Sequence, residues 1–476
     1  MTMSDDSTAT RAPRTRSWLL VSGRASLALV AGAAGAALAA AVAFVPSPAI
    51  VVAVPSVAVT PDRSDQSLVC AGGALGLTRG DNPQLAVVAA EQLHTSGAGL
   101  VTSTLAASDA IDGSPIVVTL PREAPGDALA ATGIVRPDTT EVTGLAAAEC
   151  LTPARSAWLV GGSTTVGRTT WIVLSNDDAV DAVVDLSLWG DTGPIDAVGS
   201  TGIIVAAQSQ RILPLAGFAL DEPSPVVRVS STGGSVAATL QTTVVRGLTP
   251  SGISIVTPLA EPALRHVIPA FPVINGQLAL EQSTTDGGSD GLPALRLLAP
   301  GDTSAQVTVR LIGLDGAAGL VTEATVEPGV VLDLAVTNLA DGEYSVIVDA
   351  TEPIVVSART STATAEFADL EWFSPSPALE AGTAALVAVA PVNDEQSALL
   401  HLVAPDGAAE VSIDGVPVTV AAGGMVVLPT ATNAGVRLTT SGRVHVSVSY
   451  RGDGVLAGSR VLAPPSAAGA LTVLPQ

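Results

Sequence analysis

The chain has no lysine: all 21 basic residues are arginine, set against 44 carboxylates for a net charge of −23. Nucleic-acid binding draws on Lys and Arg to displace counterions, so this balance argues against it. It argues equally against docking on anionic lipid headgroups. Aromatics are only 3% of residues, so any core must be built from aliphatic side chains. Histidine is scarce too. His94, His266, His401 and His445 lie far apart, and no Cys or carboxylate spacing around them fits zinc. Each reads as a surface or strand histidine, and no metal or cofactor is expected. Charged residues are 14% and hydrophobic residues 47%, which excludes disorder driven by charge repulsion. The richness in Ala, Val and Gly looks like codon bias, so the missing lysine is not a functional clue.

What the chain does have is turns. Gly and Pro number 46 and 33, and they separate short runs rich in Val and Thr. That is the all-β pattern. Within VHVSVSY, Val444, Val446, Val448 and Tyr450 share one face, while His445, Ser447 and Ser449 share the other. In VDLSL, Val184, Leu186 and Leu188 point inward and Asp185 and Ser187 outward. Such alternation, with one wet face, suits an antiparallel β-sandwich of Ig-like scale. Asp414-Gly415 sits between two apolar runs as a two-residue hairpin turn. Residues 83–93 (PQLAVVAAEQL) fit either a short helix or a buried strand.

The length of 476 residues accommodates three or four domains. Three segments overlay loosely, starting near 171, 294 and 398. Each reads as a strand ending in a polar turn, further strands, an aliphatic run and a closing hairpin. Intervals of this size mark domains, not solenoid repeats.

Residues 26–45, SLALVAGAAGAALAAAVAFV, carry no charge and are long enough to span a bilayer. Arg11, Arg14, Arg16 and Arg24 precede them, which places the N-terminus in the cytoplasm and the bulk outside. Ala41-Val42-Ala43 offers a cleavage site, so secretion after cutting near Ala43 is the alternative to a retained single-pass anchor. Export gives meaning to Cys70 and Cys150, the two cysteines of the chain, which are expected to form a disulfide.

Chemical motifs are weak. Gly287–Gly291 (GGSDG) matches G-x-S-x-G, but polar linker precedes it and a strand follows, so it reads as a loop. Arg-Gly-Asp occurs at 79–81 and 451–453, where Gly and Asp are ordinary turn residues. Asn176, Asp177, Asp178, Asp181 and Asp185 have the oxygens for calcium but lack EF-hand spacing, so a solvated loop is expected. Trp158 and Trp171 are expected in cores. Trp189 follows the inward Leu188, so alternation turns it outward as the best candidate contact residue. No catalytic residue can be named.

The stretch 146–193 carries Cys150, Pro153, Trp158, Gly161-Gly162, a strand ending Leu174-Ser175-Asn176 and a second strand closing on Gly190. It resembles an uncharacterised actinobacterial envelope family, a domain of unknown function, over about residues 65–465. Leu159 departs from the pattern, where the family has an aromatic beside the Trp. The resemblance implies a membrane-anchored or secreted protein with β-sandwich repeats and implies no activity. The organisation expected is therefore a cytoplasmic tail (1–25), a transmembrane signal-anchor (26–45), an extracellular β-rich region (46–150) and tandem sandwiches at 151–265, 266–372 and 373–476. The expected function is a non-enzymatic scaffold or binding module whose partner is a cell-wall polymer or an envelope protein. The alternatives are an accessory subunit of a glycan-modifying or secretion complex, and a hydrolase with an unrecognised site.

Overall fold

The computed structural model describes residues 30–36, 57–59, 64–78, 84–107, 113–126, 128–284, 288–314, 318–337, 339–364, 368–463 and 471–473. The chain divides into two compact units, Met1–Pro61 with Ala468–Gln476, and Asp62–Ala467. In the first, residues 30–36 are helical, and Val57–Val59 pairs antiparallel with Leu471–Val473. Most of the expected anchor, 26–45, lies outside the described residues. Among those described, no helix is long and apolar enough to cross a membrane.

The second unit is nearly all β. Its second repeat has eight main strands: Ser156–Val160, Arg168–Asn176, Ala182–Gly190, Ile203–Val205, Ser209–Pro214, Val226–Gly233, Ala237–Arg246 and Thr249–Val256. Counted in that order, the first, sixth, third and fourth form one sheet. The eighth, seventh, second and fifth form the other. Inward residues of both sheets, among them Leu159, Leu174, Leu186 and Leu240, share one aliphatic core. Burying each such side chain contributes about 1.5–3 kcal/mol.

The same pairing recurs at 263–373 and 384–460. It also recurs, without the fourth and fifth strands, in the first 150 residues. There Ile116–Leu120 pairs with Gln66–Val69 and Val101–Thr104. Ala130–Val135 pairs with Gln92–Ser96 and Ala146–Glu149. The region expected only to be β-rich is thus a fourth, shortened copy. The run 83–93 resolves into strands Leu85–Ala89 and Gln92–Ser96.

One expectation is corrected. The two strands read as a closing hairpin in each copy do not pair with each other. Val226–Gly233 and Ala237–Arg246 lie in different sheets, as do Ala434–Thr440 and Val444–Gly452. In the third copy both arms are one continuous strand, Gly342–Ala363, which passes from one sheet to the other. A polar turn between two apolar runs serves a hairpin or an arch between sheets, and the pattern of side chains is the same for both. The Asp414-Gly415 turn is a hairpin as read, with φ of 48° and 88° joining Ala409–Ile413 to Val416–Val420.

The four copies do not string out in a row. Their last strands, Ala146–Glu149, Thr249–Val256, Ala368–Phe373 and Val455–Arg460, each pack against the next, and the fourth packs back on the first. The copies close into a ring around these four strands.

Candidate functional site

Two ionisable side chains hold the centre of the ring. Asp369, in the third copy, is fully buried. Its carboxylate accepts hydrogen bonds from Leu145 N of the first copy at 2.9 Å and Ile253 N of the second at 3.1 Å. Leu456 N of the fourth donates at 3.2 Å and its own neighbour Leu370 N at 2.9 Å. Two glycines make the approach possible: a Cβ at Gly144 or Gly252 would sit 2.7 or 2.8 Å from Asp369 Oδ1, and both have φ of +126°. Arg460, in the fourth copy, is the counterpart. Its Nε donates to Glu149 Oε1 of the first copy at 2.7 Å, and its Nη1 to Pro258 O of the second at 2.8 Å and Pro375 O of the third at 3.2 Å. Each of these residues therefore ties its own copy to the other three.

These charges sit beside Glu371, whose pKa burial raises well above the ordinary carboxylate range, with Asp369 and Glu149 adding repulsion. Burial likewise outweighs the four donors on Asp369 and pushes its carboxyl up to about 8. Both groups hold protons that the unfolded chain releases near pH 4, so their contribution to stability is lost as pH rises through the folded values. His401 is the opposite case. Burial lowers its pKa to about 3, so its contribution is present above pH ~6.5 and lost on acidification. Above that pH the carboxylates act alone. Chemical denaturation should show stability falling between pH ~6.5 and ~8.5 by up to about 1.4 kcal/mol per pH unit per group. Asp369→Asn should make that profile shallower by removing the Asp369 share and leaving that of Glu371.

A cavity of about 280 Å³ lies between the second and third copies. Arg168 of the second copy and Asp290, Asp333, Arg359 and Trp372 of the third line it. Asp290 pairs with Arg168 and Arg246, both at 2.9 Å. Arg296, with no solvent exposure, grips Asp333 with Nε at 2.8 Å and Nη2 at 2.9 Å. Its Nη1 and Nη2 also donate to Gly162 O and Pro223 O of the second copy at 2.7 and 3.0 Å. Arg296 and Arg359 stand over the Trp372 ring at 4.6 and 5.3 Å.

Cys70 and Cys150 form a disulfide with Cα atoms 4.2 Å apart, in the small core of the first copy. It joins the end of that copy's first strand to the end of its last. Removing it by Cys70→Ser and Cys150→Ser should lower stability by about 3 kcal/mol, read from denaturation with and without reductant. Trp189 does lie on the outward face of its sheet, but it is partly buried there. It stacks on Trp158 at 5.2 Å and packs in a cluster containing Leu298, Val331 and Val355 of the third copy. Trp171 is buried with Leu75 and Ile212, against the first copy.

The acidic loop caps backbone. Asn176 Oδ1 accepts from Asp178 N, Asp178 from Ser235 N, Asp181 from Ala207 N and Asp185 from Gly202 N, all at 2.7–2.9 Å. Among the described residues, no group of three or more His, Cys, Asp or Glu is placed to hold a metal. In GGSDG, Gly287 lies outside the described residues; Ser289–Gly291 is a short 3-10 turn that presents Asp290 to the arginines. Arg-Gly-Asp 79–81 also lies outside the described residues. Arg451 of the second such motif pairs with Glu343 of the third copy. His94, His266, His401 and His445 each hydrogen-bond a different partner.

Sequence reasoning missed Asp369, Arg460, Asp290 and Arg296. A signal for the centre was present: Glu149, Ser254, Glu371 and Arg460 each stand four residues before a proline, in ECLTP, SIVTP, EWFSP and RVLAP. They take equivalent places on the four central strands.

No curated protein matches the chain. Among solved structures, "Crystal Structure of Thermotoga maritima 1070" is 18% identical over 24% of this chain and 93% of that one, with a TM-score of 0.20, too low to bear on the fold. A family model, "Family of unknown function (DUF5719)", matches residues 105–455. With its match running from the first copy into the last, the chain belongs to the family of unknown function DUF5719.

Proposed function

We propose that this chain is a non-enzymatic protein of the actinobacterial cell envelope. Residues 26–45 anchor it, its N-terminus is cytoplasmic, and its Ig-like sandwiches stand outside as a scaffold or binding module for wall polymer or an envelope protein. The observation that carries this reading is the ring centre. Asp369 and Arg460 each join all four copies, so both side chains are committed to holding the copies together as one rigid body. Rigidity of that kind lowers the entropic cost of presenting a surface to a partner. The Cys70–Cys150 bond suits an oxidising compartment.

The test is protease protection with tags at both ends. In intact spheroplasts, added protease should remove a C-terminal tag and spare an N-terminal one. Protection of both tags would place the bulk inside and end the proposal. The absence of lysine means that amine-directed surface labelling would give no information.

A further inference from the structure

The cavity between the second and third copies has two arginines and two aspartates on its wall, Arg168, Arg359, Asp290 and Asp333, with Arg246 and Arg296 bound to those aspartates behind it. Four guanidinium groups, Arg168, Arg246, Arg296 and Arg359, surround two carboxylates, Asp290 and Asp333. Three of the arginines are accounted for by ion pairs: Arg168 and Arg246 share Asp290, and Arg296 donates from Nε and Nη2 to the two oxygens of Asp333. Arg359 is different. It donates to Leu292 O at 3.2 Å, and among the described residues it has no carboxylate within 4 Å. Its Nε is buried without a hydrogen-bond partner. Burial lowers its pKa, and the more distant Asp290 and Asp333 only partly offset this. A buried guanidinium in that condition costs free energy that a bound anion would recover.

We infer that the cavity is a binding site for one oxyanion, a phosphate or carboxylate group on a small ligand, with Arg359 as its principal donor. A guanidinium presents a planar fork that matches two oxygens of either group. The Arg359 guanidinium carbon stands 5.3 Å from the centre of the Trp372 ring, and Ser163 also lines the cavity. The volume of about 280 Å³ admits a group the size of a polyol phosphate or a uronic acid, not a folded partner. This site goes beyond the envelope reading and stands whether or not the chain is exported.

Equilibrium dialysis of the full chain tests it, with inorganic phosphate, glycerol phosphate and glucuronate as probes at fixed ionic strength. Saturable binding of one equivalent of at least one probe is expected. The two phosphates against glucuronate tell which oxyanion the cavity takes. Arg359→Gln should weaken that binding at least tenfold, with the circular dichroism spectrum unchanged. If that variant does not fold, Ala335→Asp, on the exposed rim of the cavity, should abolish binding by adding a carboxylate there. No saturable binding of any probe at 10 mM, or binding that a folded Arg359→Gln or Ala335→Asp leaves unchanged, would overturn the assignment.

Discussion

Asp369→Ala is expected to cost roughly 4 kcal/mol or more, because it leaves four N–H groups without an acceptor at the centre of the ring. A buried donor without a partner costs about 1–3 kcal/mol. Against a typical total of about 5–15 kcal/mol, this is enough to break the unit into its copies at moderate denaturant. The measurement is urea unfolding followed by tryptophan fluorescence. Trp372, three residues from Asp369, lies in the core of the second copy and so reports on the contact between copies. The wild-type chain should unfold in one transition and the variant in more than one. Asp369→Asn keeps one acceptor oxygen and should lose about half as much.

Arg460→Met should cost about 3–5 kcal/mol by a different route. It leaves Glu149 buried and unpaired, with the side chain only 5% exposed, and strips Pro258 O and Pro375 O of a donor. The second substitution Glu149→Leu should recover much of that loss, since an apolar pair of similar size avoids burying charge altogether. Failure of the double variant to improve on Arg460→Met would mean that the two carbonyls, not the carboxylate, set the cost. A thermodynamic cycle over the four proteins gives the coupling directly.

Much of each copy was legible in the alternation of side chains. Val184, Leu186 and Leu188 lie in the core as their spacing implies, with Asp185 and Ser187 exposed between them. So do Val444, Val446, Val448 and Tyr450. The opposite face of that last strand was expected to be wet, and there the reading failed: Ser447 and Ser449 are buried, because the long first strand of the third copy, Ala263–Val273, packs over the strand that carries them. A period of two assigns residues to faces and is silent on what covers each face. The first copy was missed because it lacks the fourth and fifth strands, so its spacing does not overlay on the others.

The ring itself depends on pairs that local pattern does not reach. Glu149 and Arg460 are 311 residues apart, and Arg296 and Gly162 are 134 apart. A single acidic residue in a strand, such as Asp369 in ADLEWF, reads as an outward-facing position when the copy is considered alone. It becomes central only because three other strands bring their N–H groups to it. The same holds for Trp189. Alternation put it on the outer face correctly, and that face turns out to be the contact with the next copy, where Trp189 stacks on Trp158 of its own copy and packs with Val331 of the third.

The claim on which the functional account rests is that this ring binds the envelope from outside. Co-sedimentation of the purified chain, disulfide intact, with washed sacculi from its own organism tests it most directly, across a salt series. The account predicts pelleting that resists salt, since a rigid multi-copy surface binds through shape and hydrogen bonds more than through exposed charge. A chain that stays in the supernatant at every salt concentration would contradict direct binding to wall polymer and leave a membrane protein as the partner to seek.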